Sequence, residues 1–369
     1  MFFFFAGLAV IMWVMQATIG AWFKVVFNWD KWTMPVKVLP ALCTAAVLFS
    51  MNYAHNHVDG LMAPDMYRFA YIWLGVVFLS FLVSAAFFPV YGAFRLVSLP
   101  TKWMRKASLY TMVGLIAWAL WGAYSEPKIK RVQIRAPQLP SMKIAVLSDT
   151  HLGFGVSLEQ LDRALHKLKA EQPDILLLLG DIFEYGPDRD DYALRIASVY
   201  TPLGSYGVLG NHEYYVGYGD SKQFFQDAHV RLLENETVIL PNNIQLTGLR
   251  DLVTARISFP ELETVLASSK TEHPAILLSH TPLFPDKAAA FGFDLMLSGH
   301  THNGQIWPFT YLVKRQFPYI YGLYDVDNMP FYVTSGMFYW GVPMRLFAPK
   351  EIPILEINPT EETHADAAA

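Results

Sequence analysis

Apolar residues follow two regimes along the chain. In the first third they form long unbroken runs at 2–22, 38–54, 69–94 and 107–124, separated by short polar loops. A helix needs about 20 apolar residues, within a range of roughly 17 to 25, to cross the hydrocarbon of a bilayer. Three of the runs meet that length. The run at 38–54 is at its lower limit and carries Pro40 near its start, where a proline costs no hydrogen bond. Residues 1–124 are therefore expected to form a four-helix transmembrane region. Beyond it, Pro127, Pro137 and Pro140 mark 125–140 as a linker with room for one edge strand. Short aliphatic runs then recur at 143–147, 175–179, 207–209, 275–278, 295–297 and 331–333, each ending in a polar cluster. Such runs read as strands buried on both faces. Between the first two, Leu158, Leu161, Leu165 and Leu168 repeat at helical spacing, and Ser157 is placed to cap the helix. Strand, helix, strand predicts an α/β domain with parallel pairing, here 141–359. The polar, Ala-rich tail at 360–369 is expected to be disordered.

Composition sharpens this division. Charged residues make up 16% of the chain, against about 25% in a soluble globular domain, and the deficit lies before residue 124. The formal net charge of −4 argues against a nucleic-acid partner held by a broad basic face. Cys43 is the only cysteine, which excludes an internal disulfide and a thiolate metal cluster, and no disulfide partner is expected. The first apolar run has no Lys or Arg before Lys24 and is too long for an ordinary signal sequence, so it reads as an uncleaved span.

Loop charges set the expected orientation. Lys24, Lys31 and Lys37 lie between the first two runs, and Arg95, Lys102, Arg105 and Lys106 between the last two. The middle loop has only Arg68 beside Asp59 and Asp65. Positive loops stay in the cytoplasm, so an even number of spans places the second domain on the outer, periplasmic side of a cell (inner) membrane. Lys128, Lys130, Arg131 and Arg135 directly after the last span pull the other way.

Candidate chemistry sits where the strands end. The clusters are Asp149-Thr150-His151, Gly180-Asp181, Gly210-Asn211-His212-Glu213, Ser279-His280 and Gly299-His300-Thr301-His302. Taken singly, each has an ordinary explanation as a turn or a surface histidine. Taken together, each after an apolar strand, they match the rule that loops at carboxyl strand ends converge on one crevice. Carboxylate, imidazole and amide donors suit Mn, Fe or Zn. In Gly-His-Thr-His, alternate residues of an extended segment point the same way and can clamp one centre. His55, His57, His166, His229 and His273 stand outside any such cluster and read as ordinary surface residues.

In this order the clusters resemble the motif series of the calcineurin-like metallophosphoesterases. Gly-His-Thr-His-Asn-Gly-Gln at 299–305 and Gly-Val-Pro-Met-Arg-Leu-Phe-Ala-Pro at 341–349 are most similar to the bacterial membrane-associated branch. That branch usually has glycine where this chain has Asn303, a residue that tolerates left-handed backbone. The resemblance covers roughly 141–355 and stops short of the apolar runs. It implies a four-layer α-β-β-α sandwich and a centre of two divalent ions, Mn first, with Fe, Zn or Mg as alternatives. It assigns Asp149, His151, Asp181 and His302 to one ion, and Asp181, Asn211, His280 and His300 to the other. Asp181 is the bridge. His212 becomes the catalytic residue, donating to the phosphoryl or leaving-group oxygen, and Glu213 and Asp294 are candidates to stand behind the histidines.

The expected function is metal-dependent hydrolysis of a phosphate ester or diphosphate bond at the membrane surface. The expected partners are a phosphorylated small molecule or a lipid-linked phosphate, with membrane lipids. Aromatics near the motifs, including Phe183, Tyr185, Tyr214, Tyr215, Tyr218, Trp307, Phe309, Tyr311, Phe338, Tyr339 and Trp340, either pack the sandwich edge or line a lipid groove. The alternative is a non-catalytic membrane scaffold or receptor on the same fold, but every ligand position is filled. Transport finds no support, because the apolar runs hold no ionisable residue suited to a relay.

Overall fold

The computed structural model describes residues 2–28, 33–57, 60–269 and 272–359. The tail at 360–369, and Asp30, Lys31 and Asp59 of the loops, fall outside them. The described chain divides into two compact units, Met1–Tyr124 with Gly341–Leu346, and Ser125–Trp340 with Phe347–Ala369.

The first unit is built on four helices, α1 (Phe2–Phe27), α2 (Thr33–Asn56), α3 (Ala63–Leu96) and α4 (Lys102–Tyr124). All four are long and apolar enough to span a bilayer, which marks the chain as a membrane protein. Each helix outruns the apolar run that announced it. Hydropathy stops at the first charge, whereas Lys and Arg are good helix formers, so α4 starts at Lys102 rather than 107. Pro40 consequently lies inside α2 and not at its first turn, and it leaves one carbonyl of the preceding turn without its helical donor. Two polar contacts join the helices. Trp22, fully buried, donates to Ser108 Oγ (3.1 Å), and Gln16 donates to Thr44 Oγ1 (2.9 Å). Such pairs answer the need of polar groups in an apolar surround. The late segment Gly341–Leu346 belongs to this unit: the Arg345 N–H donates to Ala119 O (2.8 Å).

The second unit is a sandwich of two six-stranded sheets. The strands in chain order are β1 (Lys128–Arg135), β2 (Met142–Leu147), β3 (Ile175–Leu179), β4 (Ser205–Val208), β5 (Arg231–Leu232), β6 (Glu236–Ile239), β7 (Gln245–Gly248), β8 (Ala275–Leu278), β9 (Leu295–Ser298), β10 (Gly322–Val326), β11 (Met329–Val333) and β12 (Glu351–Asn358). One sheet runs β1-β12-β2-β3-β4-β5 and the other β10-β11-β9-β8-β7-β6. β2 to β5 are parallel, as are β7, β8, β9 and β11. The segment read as a linker contributes β1, an edge strand parallel to β12.

Because strands alternate their side chains between faces, each sheet buries both sides. Ile144, Val146, Leu177 and Leu179 of one sheet meet Leu246, Ile276, Leu278 and Leu297 of the other in the central core. Ala145, Leu147, Leu176 and Leu178 face outward onto α5 (Leu158–Ala170), through Leu161, Leu165 and Leu168. Leu277, Met296 and Phe331 do the same toward α9 (Phe259–Ser268), through Leu262 and Leu266. The layers are thus helix, sheet, sheet, helix. α5 starts as its sequence implies: Ser157 Oγ accepts from Gln160 N, and Gln160 Oε1 accepts from Ser157 N. Truncating a fully buried leucine such as Leu177 to alanine in this packing costs about 2–5 kcal/mol.

Candidate metal centre

Five parallel strands end at the same edge and supply the site. β2 leads into Asp149 and His151, β3 into Asp181, β4 into Asn211 and His212, β8 into His280, and β9 into His300 and His302. Pairing continues a little beyond the strands, with Asp149 N donating to Gly180 O (3.1 Å) and His151 N to Asp181 O (3.0 Å). Asp149, His151, Asp181, His300 and His302 all have positive φ, from 44° to 73°. Backbone of that kind is costly for residues with side chains and gathers where function holds it in place. Asn303, φ 50° and ψ 33°, keeps the left-handed turn that glycine would favour.

The seven residues assigned to metal converge. Asp149, His151 and His302 each offer an atom to one cluster within 4.8 Å, and Asp181, His280 and His300 form a second. Between neighbours, His151 Nε2 lies 2.9 Å from His302 Nε2, and His302 Nε2 lies 3.4 Å from Asp149 Oδ1. His280 Nε2 is 3.1 Å from Asp181 Oδ2, 3.2 Å from Asn211 Oδ1 and 3.2 Å from His300 Nδ1. Asp181 Oδ2 also reaches within 4.0 Å of His151 Nε2, which places it between the two clusters.

The far sides of the rings fix which nitrogen points inward. His280 Nδ1 donates to Leu179 O (2.6 Å) and His151 Nδ1 to Glu184 Oε1 (2.8 Å). Both turn Nε2 toward the centre, the atom a metal-binding imidazole offers. Burial, with the positive field of His280, pushes the His300 pKa down to about 4, so that ring is neutral at pH 7. Imidazoles, carboxylates and an amide oxygen around one crevice fit two divalent ions.

His212 also lies within 4.8 Å of an arrangement with His151 and Asp181. Its Nδ1, however, is taken by Glu184 Oε1 at 2.6 Å. Burial opposes charge on His212, but the Asp181 and Glu184 carboxylates outweigh it and raise its pKa to about 9. A cationic ring is a poor ligand and a good proton donor. Tyr215 and Trp340 flank it edge-on, with ring centroids 5.3 and 5.5 Å away. Trp340 is held by Gln305 through two reciprocal bonds: Gln305 Nε2 donates to Trp340 O (2.9 Å) and Trp340 N to Gln305 Oε1 (2.8 Å).

Glu184 is the residue that sequence reasoning passed over. It ties two histidines of the site together, and burial is overcome by those two hydrogen bonds, which hold its carboxyl down to about 2. The signal available was its place three residues after Asp181. The two candidates to stand behind the histidines serve the backbone. Glu213, fully buried, accepts from the N–H groups of Asp181 (2.9 Å), Ile182 (2.7 Å), Phe183 (3.2 Å) and Gly210 (2.7 Å), and so shapes the loop that presents Asp181. Asp294 accepts from Ala275 N (2.8 Å) at the start of β8, the opposite end from the site.

A family model for the calcineurin-like phosphoesterases matches residues 142–304, the span that contains the seven residues assigned to metal, His212 and Glu184. An uncharacterized metallophosphoesterase of Campylobacter jejuni is 35% identical over 67% of this chain and 67% of its own length. One of Helicobacter pylori is 30% identical over 88% of this chain and 89% of its own. A Bos taurus transmembrane protein with metallophosphoesterase domain is 32% identical over 70% of this chain and 62% of its own. The chain belongs to the calcineurin-like metallophosphoesterase family, and its domain is that of a phosphoester hydrolase.

Proposed function

We propose that the protein hydrolyses a phosphate ester or diphosphate bond of a lipid-linked substrate at the membrane surface, with two divalent ions, Mn first among them. The observation that carries the reading is the pair of ligand clusters with Asp181 between them, and a cationic His212 beside them. Two ions held there supply Lewis acidity toward a phosphoryl oxygen and make a nearby water more acidic. The chain's own residues do the rest. Asp181 holds the clusters in register, with its Oδ1 also accepting from His212 N (2.9 Å). His212, kept protonated by Glu184, donates to the oxygen on which negative charge develops. Trp340 and Tyr215 wall that proton donor and limit water around it.

The lipid link rests on aromatic and apolar side chains left in solvent near the motifs. Trp307 (44%), Tyr311 (67%), Leu312 (64%), Tyr215 (60%) and Trp340 (53%) are exposed, although large apolar side chains are ordinarily buried. Residues of this kind favour the boundary between headgroups and acyl chains. The basic loops favour an outer, periplasmic position for the domain. Incubating the purified, Mn-loaded protein with a membrane lipid extract, then reading products by mass spectrometry, tests the proposal. Release of a phosphorylated product that disappears in Asp181→Asn supports it. Hydrolysis of soluble phosphoesters with every lipid species unchanged would remove the lipid link.

A further inference from the structure

The turn between α3 and α4 borders an open cavity of about 830 Å³ within the helical unit, lined by Arg95, Ser98, Thr101, Lys102 and Trp103. Its walls carry two kinds of group at once. Arg95, in the last turn of α3, and Lys102, the first residue of α4, bring a cation from each side. From Met66 to Ser125 the sequence contains no acidic residue that could neutralise these charges. The same turn exposes Leu96 (89%), Val97 (65%) and Leu99 (48%), and Trp103, edge-on to Phe94 at 6.1 Å, forms part of the wall.

A cationic cavity rimmed by exposed apolar side chains, at the ends of two spans, has a definite ligand chemistry. The cations and the Ser98 and Thr101 hydroxyls suit a phosphodiester anion. The apolar rim suits acyl chains attached to it. Basic pockets between transmembrane helices take anionic headgroups, each Lys or Arg near the surface adding to the attraction. We propose that this cavity binds the anionic headgroup of a glycerophospholipid, independently of the metal centre. The apolar rim favours a lipid over free phosphate, which shares the same oxygen chemistry.

The test uses the full-length protein in mild detergent, with native mass spectrometry as the readout. Phosphatidylglycerol, phosphatidylcholine of the same chains, and inorganic phosphate are titrated separately. The expected result is phosphatidylglycerol adducts about tenfold or more stronger than phosphatidylcholine adducts, weakening as ammonium acetate is raised. A variant carrying Arg95→Gln and Lys102→Gln should lose that preference by a similar factor, with helicity by circular dichroism, elution volume and phosphoesterase activity unchanged. Equal binding of the two lipids overturns the proposal on the unaltered protein alone, so it does not depend on the variant's folding. So does a variant that folds and keeps the preference, or inorganic phosphate that binds and displaces the lipid.

Discussion

Glu184 Oε1 lies 2.6 Å from His212 Nδ1, and the same oxygen accepts from His151 Nδ1 at 2.8 Å. One carboxylate atom therefore orients both the proposed proton donor and a proposed ligand. The Asp181 and Glu184 carboxylates hold the first ring charged, and Glu184 fixes the direction in which the second ring points. In chelator-stripped protein, His212 should titrate near 9 by NMR. Its folded pKa is raised above the ordinary 6.5, so the charge on His212 stabilises the fold fully below that ordinary value. That contribution is lost as pH rises through about 9. Glu184→Gln should lower the His212 pKa by about one pH unit or more, since hydrogen bonds to charged groups are worth about 1.5–3 kcal/mol. An unchanged titration would assign the raised pKa to Asp181 alone.

Asp181→Asn should lower metal content below two equivalents and remove most activity, because one carboxylate lies between two clusters. Elemental analysis showing two full equivalents in that variant would refute the bridging role. His212→Ala is the complementary change. It should keep both equivalents and lower turnover by about 100-fold or more, as expected on losing a donor to developing charge. Loss of metal from His212→Ala would instead make His212 a ligand, the reading its proximity to His151 and Asp181 leaves open.

The strand-end clusters were legible because each follows a continuous aliphatic run, and parallel strands put such ends on one edge. β12 was not, for a physical reason. Its Glu-Ile-Pro-Ile-Leu-Glu-Ile-Asn carries Pro353, which argues against a strand between two partners. Yet the β2 ladder begins only at Ile354, so Pro353 lies opposite β1 alone. Glu184 was hidden differently. It sits in irregular chain after β3, where no periodicity marks the direction of a side chain. The pairing of Gln305 with Trp340 spans 35 residues and has no local trace.

Gly210 offers a test of how tightly the site is packed. A Cβ there would lie 2.2 Å from Asp181 Oδ1 and 2.6 Å from Asp181 N, closer than real contacts allow. The crowded atoms include backbone, which the four N–H bonds to Glu213 hold in place, so relief must come from moving the Asp181 carboxylate. Gly210→Ala should therefore bind metal weakly and lose activity, while stability falls by about 1–3 kcal/mol, the usual cost of overpacking. Isothermal titration with Mn and a chemical denaturation curve separate the two effects. Normal affinity would mean the loop yields elsewhere.

Sidedness connects the helical unit to the substrate. Arg95, Lys102, Arg105 and Lys106 flank the turn between α3 and α4 with no acid among them, and Lys24, Lys31 and Lys37 outnumber Asp30 between the first two apolar runs. Positive loops of this length are retained in the cytoplasm. The expectation is then that four spans return the chain outward before β1. Lys128, Lys130, Arg131 and Arg135 oppose that assignment from the start of the second unit, although long domains translocate largely regardless of charge. An alkaline phosphatase, active only when exported, should work when fused after Pro359 and stay silent when fused at Lys102. The reverse pattern would place the metal centre in the cytoplasm and make the cluster after α4 the dominant signal. It would also bring nucleotide-linked lipids within reach of Asp181 and His212. With the predicted pattern, cytosolic nucleotides never meet the site, and lipid-linked phosphates of the outer leaflet become the substrates to assay first.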